Sequence, residues 1–336
     1  MSMNTKMNIR QRIEQLEKST LSNRACLSAC SRGRERAEEE CEIRTAFQRD
    51  RDRIIHSEAF RRLKHKTQVF LSPESDLYRT RLTHTLEVSQ IARTISRALC
   101  LNEDLTEAIS LAHDLGHTPF GHEGERALNS ICGNFNHYEQ GVRVCAIIEK
   151  NGQGLNLTKE VLDGVLHHTK GELPFTLEGC VVRISDRIAY INHDIDDAIM
   201  AGVLRPENIP SDISRILGGS KSQRIDAMVT SVIENSQDTI GMDPKTQEVF
   251  NRLHDFLFEN VYHNKIFKEE EKKVLRIISG LYRFYIKNPE SLPDSLRSLS
   301  QVQGIERTVI DHIASMTDRC AVQTYKSIYI PDFWED

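Results

Sequence analysis

Between residues 180 and 200 the sequence CVVRISDRIAYINHDIDDAIM places Val181, Ile184, Ile188, Ile191, Ile195 and Ile199 at steps of three or four. That spacing lines one face of a helix, and a strand, which alternates faces every two residues, cannot use it. The same period recurs along most of the chain. In 82–99 it runs through Val88, Ile91, Ile95 and Leu99 with His84 in phase, and in 104–115 through Leu105, Ala108, Ile109 and Ala112 with His113 continuing it. Asp104 with Glu107 reads as a capping box opening the second of these, and Gly116 followed by Pro119 closes it. The segments 222–236, 246–263, 268–287 and 305–326 are also helical in period, whereas TLEGCVVR at 176–183, the one plausible strand, reads better as helix. The expected fold class is therefore all-α. One large domain is predicted, with an N-terminal extension at 1–43, a core at 44–205 and a C-terminal helical part at 206–336 packed on that core. A domain boundary near residue 205 is the alternative.

Composition narrows the setting. With 336 residues, 39% hydrophobic and 28% charged, the chain has the balance of a soluble globular protein. No window approaches the ~20 apolar residues of a membrane span, so no membrane partner is expected. The start, MSMNTKMNIRQRIEQLEK, lacks the apolar stretch of a signal peptide, and the cytoplasm is the expected location. Eight scattered cysteines without a C-x-x-C pair read as free thiols. The net charge of −5 is no footprint for nucleic acid, but Arg44, Arg49, Arg51, Arg53, Arg61, Arg62, Lys64 and Lys66 form a local basic strip suited to a confined anion such as a phosphate.

The stretch LAHDLGHTPFGHEGE at 111–125 puts His113, Asp114, His117, His122 and Glu125 among apolar residues and glycine. Imidazole nitrogens and carboxylate oxygens together suit first-row divalent metals, and three or four such groups are needed to hold one ion. His84 and Asp186 are the candidates for the missing ligands, because each sits on a strongly periodic helix where a polar group near the core face needs a partner. On the isoleucine-rich segment Asp186, Tyr190 and Asp194 lie four apart on another face, with Asp197 following. Taken singly, His84 also reads as a hydrogen-bonded core histidine, His113 with Asp114 as a helix cap, Asp186 as solvent-facing and Tyr190 as a half-buried core tyrosine. Taken jointly, these readings require several coincidences.

His84, the HD pair at 113–114 and Asp186 resemble the H…HD…D signature of HD-domain metal-dependent phosphohydrolases. The blocks RDRDRIIHSEAFRRLKHKTQVF (49–70), RTRLTHTLEV (79–88), AHDLGHTPFGHEGE (112–125), NHYEQ (136–140), SDRIAYINHDIDDA (185–198) and DHIASMTDR (311–319) are similar to those of the dGTPase-like deoxynucleoside triphosphate triphosphohydrolases. The resemblance implies an all-α HD fold with one divalent ion (Mg, Mn, Fe, Co or Ni) held by His84, His113, Asp114 and Asp186. It implies His117, His122, Glu125 and His137 as groups beside the ion, His117 as either a ligand or a phosphate contact; because imidazole titrates near neutral pH, His122 is the first choice of proton donor, with Glu125 or His137 orienting or sharing the proton. Arg81 and Arg187 would contact the triphosphate, and Gln68, Tyr190 and Asp194 would read the deoxyribose. The implied reaction is hydrolysis of a dNTP to deoxynucleoside and inorganic triphosphate. A homo-oligomer is implied as well, an allosteric nucleotide is allowed, and the basic strip leaves single-stranded nucleic acid open as a ligand. The alternatives are another HD phosphohydrolase, such as a nucleotidase, a phosphodiesterase or a guanosine-tetraphosphate hydrolase, and an idle nucleotide- or single-strand-binding scaffold.

Overall fold

The computed structural model describes residues 7–68, 79–262 and 265–331, without the side chains of 262 and 265–268. Val69 and Phe70, which end the first block quoted above, and residue 263 lie outside the described residues. Among the described residues the chain is built from helices, and β pairing is limited to two isolated bridges, Arg34 with Thr158 and Thr67 with Thr80. The fold is all-α.

The isoleucine helix, Leu177–Met200, starts where the Thr176 hydroxyl accepts from Gly179 N at 3.1 Å. Val181, Ile188, Ile191 and Ile195 of its stripe are buried, and Ile184 and Ile199 pack partly buried against the same core. Each fully buried isoleucine contributes roughly 1.5–3 kcal/mol relative to an exposed one, which is enough for this face to decide how the helix docks. It lies against Arg81–Ala98 and Glu103–Ala112, and the latter also packs on Ala46–Ile55 and Lys159–Leu166.

Several boundaries differ from the sequence reading. The second helix begins at Glu103 and ends at Ala112, and its cap is the Asn102 side chain, which accepts from Leu105 N at 3.2 Å. Asp104 and Glu107 do not form the expected box, because Gln48 Nε2 donates to Asp104 at 2.8 Å and Arg51 pairs with both carboxylates. The 305–326 period divides into Ile305–Ser315 and Asp318–Tyr329, since Met316 and Thr317 are extended and the Thr317 hydroxyl caps the second helix. Pro244–Leu257 gives way to a wider π turn at Phe258–Tyr262.

Two apolar clusters meet around residues 113–137. Leu115 belongs to the larger one, which holds the isoleucine stripe, Val88, Ile91 and Ile109. Phe120, Ala127, Leu128 and Phe135 belong to the second, built with Val274, Ile278, Leu281, Val309, Ile313 and Ala321. The N-terminal stretch is fastened to the core by Arg34, which pairs with the buried Asp50, whose carboxylate also accepts from Thr158 N and Oγ1. The basic strip does not present one free face. Arg44 pairs with Asp52, Arg49 and Arg53 with Glu38, Arg51 with Asp104, Arg62 with Glu58, and Lys66 is buried. Among the described residues no helix is long and apolar enough to cross a membrane.

Candidate metal and catalytic site

His113 Nδ1 lies 2.7 Å from the Ser110 carbonyl, which can only accept, so Nδ1 carries the proton and Nε2 a bare lone pair. That Nε2 is buried without a hydrogen-bond partner among the described residues, 3.5 Å from Asp114 Oδ1 and 3.7 Å from Asp186 Oδ1. A lone pair facing two carboxylates is satisfied by a cation. The His84 side arrives at the same result. His193 Nε2 lies 2.8 Å from a Glu87 carboxylate oxygen, so it donates there and its Nδ1 accepts from His84 Nδ1 at 3.2 Å. His84 Nε2 then faces Asp186 Oδ1 at 3.0 Å with its lone pair free for a metal. Ligand atoms of His84, His113 and Asp186 all lie within 4.8 Å of one another, and Asp114 Oδ2 is 3.9 Å from His84 Nε2.

Electrostatics agrees with the geometry. Burial opposes the charge on Asp114, but His113, Arg81 and His117 together hold its carboxyl well below the usual range. Burial likewise opposes Asp186, whose pKa is brought down to about 2 when His84 and His113 are protonated; with both imidazoles neutral, a bound cation takes over that role. Two ionised carboxylates in a buried pocket, with two imidazole lone pairs between them, fit a divalent cation and leave little reason for the arrangement without one.

The glycine corner brings a second group of side chains to the same pocket. Gly116 has no room for a Cβ, which would collide with Gly141 N and His137 O, so the helix His137–Arg143 lies directly on the turn after Asp114. His117 Nε2 donates to Asp114 Oδ1 at 3.1 Å, and its ring stacks on His137 with centroids 3.9 Å apart. Burial, then Arg81 and His137, push the His117 pKa well down, so the ring is neutral. Glu125 accepts from His137 Nδ1 and from His137 N, each at 2.9 Å, and lies 3.4 Å from His122 Nδ1. Burial opposes the Glu125 charge, but these two histidines hold its pKa far below the ordinary value. His122 stands at the mouth with its side chain 63% exposed.

The expected substrate residues are distributed around this centre. Arg81 is 1% exposed and sits behind the ligands, its Nη1 donating to Asp114 Oδ2 at 2.9 Å and its Nη2 to the Gln68 carbonyl at 3.2 Å. Arg187 is half-buried with its guanidinium 4.9 Å from the Phe250 ring centroid, and it pairs with no carboxylate among the described residues. Tyr190, one turn on, meets His254 edge-on at 6.2 Å. Asp194 is buried with Oδ1 unpartnered, and burial, reinforced by Asp197, raises its pKa well above the ordinary value. Gln68 is buried, and its side-chain oxygen has no partner among the described residues.

Three residues of the neighbourhood were missed by the sequence reading. His193 and Glu87 set the His84 tautomer, as described above. His168 is the third. Its Nδ1 donates to the Val165 carbonyl at 2.7 Å, and its Nε2 lies 3.3 Å from His137 Nε2. Glu125 and the Val165 carbonyl take the two Nδ1 protons, so the two Nε2 atoms face each other. Burial, then His113 and His137, bring the His168 pKa down to about 3, so the His168 ring is neutral. The helical phase Val161, Val165, His168 could have found it, because this histidine continues a buried face whereas His167 bonds Asp163 near the surface.

The sequence matches the HD domain over residues 81–191 and the phosphohydrolase-associated domain over 240–327. It is 56% identical over 331 residues to a deoxyguanosinetriphosphate triphosphohydrolase-like protein of Caldanaerobacter subterraneus subsp. tengcongensis, with 98% of each chain covered. A protein of the same description from Clostridium perfringens strain 13 is 50% identical over 339 residues, covering 97% of this chain and 99% of the relative. A solved hypothetical protein from Aquifex aeolicus superposes with a TM-score of 0.47 at 20% identity, over 82% of this chain and 67% of that one. The HD match spans His84, His113, Asp114 and Asp186, and the two relatives align over nearly their full length: the chain belongs to the deoxyguanosinetriphosphate triphosphohydrolase-like family of HD-domain phosphohydrolases.

Proposed function

We propose that this protein hydrolyses deoxynucleoside triphosphates, dGTP among them, at the α-phosphorus, releasing a deoxynucleoside and inorganic triphosphate. The observation that carries the reading is the orphaned, buried Nε2 of His113 facing Asp114 and Asp186, with the Glu125 histidine group at its side. His84, His113, Asp114 and Asp186 would hold one divalent ion. Two imidazoles with two carboxylates suit Mn, Fe, Co or Ni better than Mg, which prefers oxygen ligands. Bound there, such an ion supplies Lewis-acid stabilisation of the α-phosphate oxygens and of a water.

The chain's own groups account for the remaining steps. Arg187, free of carboxylate partners among the described residues, offers a guanidinium fork to the phosphates. Arg81 keeps Asp114 in place and adds positive charge from behind. Water attacks the α-phosphorus and releases one proton to solvent, the bond to O5′ breaks with its electrons going to oxygen, and the triphosphate departs with the new oxygen. His122 gives O5′ the proton that makes the deoxynucleoside hydroxyl. In the free protein desolvation, then Arg81 and His137, lower the His122 pKa, an effect that the 63% exposure of its side chain weakens. An arriving polyanion acts in the opposite direction and favours the protonated ring. Glu125 orients His122 and His137 together. At the sugar, Asp194 in its protonated state can donate to a hydroxyl, Gln68 Oε1 can accept from one, and the Tyr190 ring occupies the space a 2′-hydroxyl would need.

The test is a panel of four dNTPs and four rNTPs with Mn or Mg, each with and without a second nucleotide, with products resolved by ion chromatography. Triphosphate and deoxynucleoside from dNTPs, with rNTPs poor substrates, support the reading. Pyrophosphate, monophosphate or equal use of rNTPs overturns it.

A further inference from the structure

The block DHIASMTDR, at 311–319, was tied to no role by sequence, and it lies in the second apolar cluster rather than among the metal ligands. Its two aspartates nonetheless reach both segments that carry the proton-handling side chains. Asp318 opens the helix Asp318–Tyr329, where a carboxylate ordinarily serves its own helix N-terminus. Here Thr317 caps that helix, and both oxygens of Asp318 are taken elsewhere: Oδ1 accepts from Phe120 N at 2.9 Å and Oδ2 from Thr67 N at 3.0 Å. Phe120 is in the left-handed region, with φ 64°, a conformation that a bulky residue adopts only when its surroundings impose it. It stands between His117 and His122 and directly precedes the helix that carries His122 and Glu125.

Two further contacts from the same junction act in the same direction. The wholly buried Lys66 ammonium donates to the carbonyls of His117 and of Ala314, the latter at 2.8 Å. Asp311 accepts from Gln140 Nε2 at 3.0 Å and from Arg143 Nε at 2.8 Å, both on the helix that begins with His137.

We propose that Asp318, seconded by Lys66 and Asp311, is a positioning residue: by holding the Phe120 amide it fixes the left-handed corner that aims His117 and His122 at the substrate. The C-terminal helices are thereby part of the catalytic apparatus without touching substrate or metal. The catalytic half of this inference rests on the reaction proposed above, while the clamp itself is a statement about the corner.

Asp318→Asn and Asp318→Ala test it in the metal-loaded, full-length protein. In Asn one oxygen still accepts, while the other becomes a donor pointed at an amide N–H. The expected result is a fall in kcat of about 10- to 100-fold, the scale of a small misplacement of reacting groups. KM, metal per chain and melting temperature stay near wild type, and amide exchange at 117–122 speeds up while that of the helix Glu103–Ala112 does not. Unchanged exchange at 117–122, unchanged kcat, or a loss of kcat that follows loss of metal or of folded protein each overturns the inference. If the wild-type protein hydrolyses no dNTP, it is the proposed function that fails, and the exchange comparison decides the clamp alone.

Discussion

At the scale of single residues, the groups proposed to hold the ion, His84, His113, Asp114 and Asp186, are distinct from those proposed to move protons, His122, Glu125 and His137. His122→Ala is expected to lower kcat by about 10²–10⁴-fold, the usual contribution of a positioned acid, while metal content measured by elemental analysis stays at the wild-type level. Turnover within a few fold of wild type would remove His122 from the proton path. Asp194 permits a stability prediction. Its pKa is raised by burial, so above the ordinary aspartate range the native state keeps a proton that the unfolded chain has released. Its favourable contribution is complete below the ordinary aspartate range, near pH 4, and is lost as pH rises from there toward the raised native value. Asp194→Asn mimics the protonated form, so its melting temperature should fall less steeply between pH 4 and 8 than that of wild type. Equal slopes would mean that Asp194 is ionised in the native protein.

At the scale of elements, helical phase was the legible signal and helix ends were not. The stripe from Val181 to Ile199 and the phase of His84 and His113 could be read directly, because burial of apolar side chains selects the period. The cap at Asn102 and the break at Met316–Thr317 could not, because each depends on one or two side-chain contacts and neither contains glycine or proline. The same limit applied to the supports of the metal ligands. His193 looked like one more residue of the isoleucine helix, yet its bond to His84 Nδ1 joins that helix to Arg81–Ala98. Loss of such an outer partner commonly costs 10–100-fold in metal affinity. His193→Ala should therefore release metal to a chelator at concentrations about that much lower than wild type, with helical content unchanged by circular dichroism. Retention equal to wild type would show that the His84 tautomer needs no such support.

At the scale of the whole molecule, the proposed ligands come from segments as far apart as His84 and Asp186, and these side chains converge because the isoleucine helix docks on the His84 helix. The sequence reading reached that convergence through the spacing of polar residues against an apolar stripe, together with the family resemblance. It did not foresee that the chain changes apolar cluster between Leu115 and Phe120, which depends on contacts with residues beyond 270. That crossing puts the groups proposed to hold the ion on one side of the site and the corner proposed to handle protons on the other. The central claim is that water attacks the α-phosphorus and that the bond to O5′ breaks. Turnover of dGTP in ¹⁸O-labelled water, with both products analysed by mass spectrometry, tests this most directly. The account predicts one ¹⁸O in the released triphosphate and none in deoxyguanosine; label in the deoxyguanosine, or release of dGMP with pyrophosphate, would contradict it.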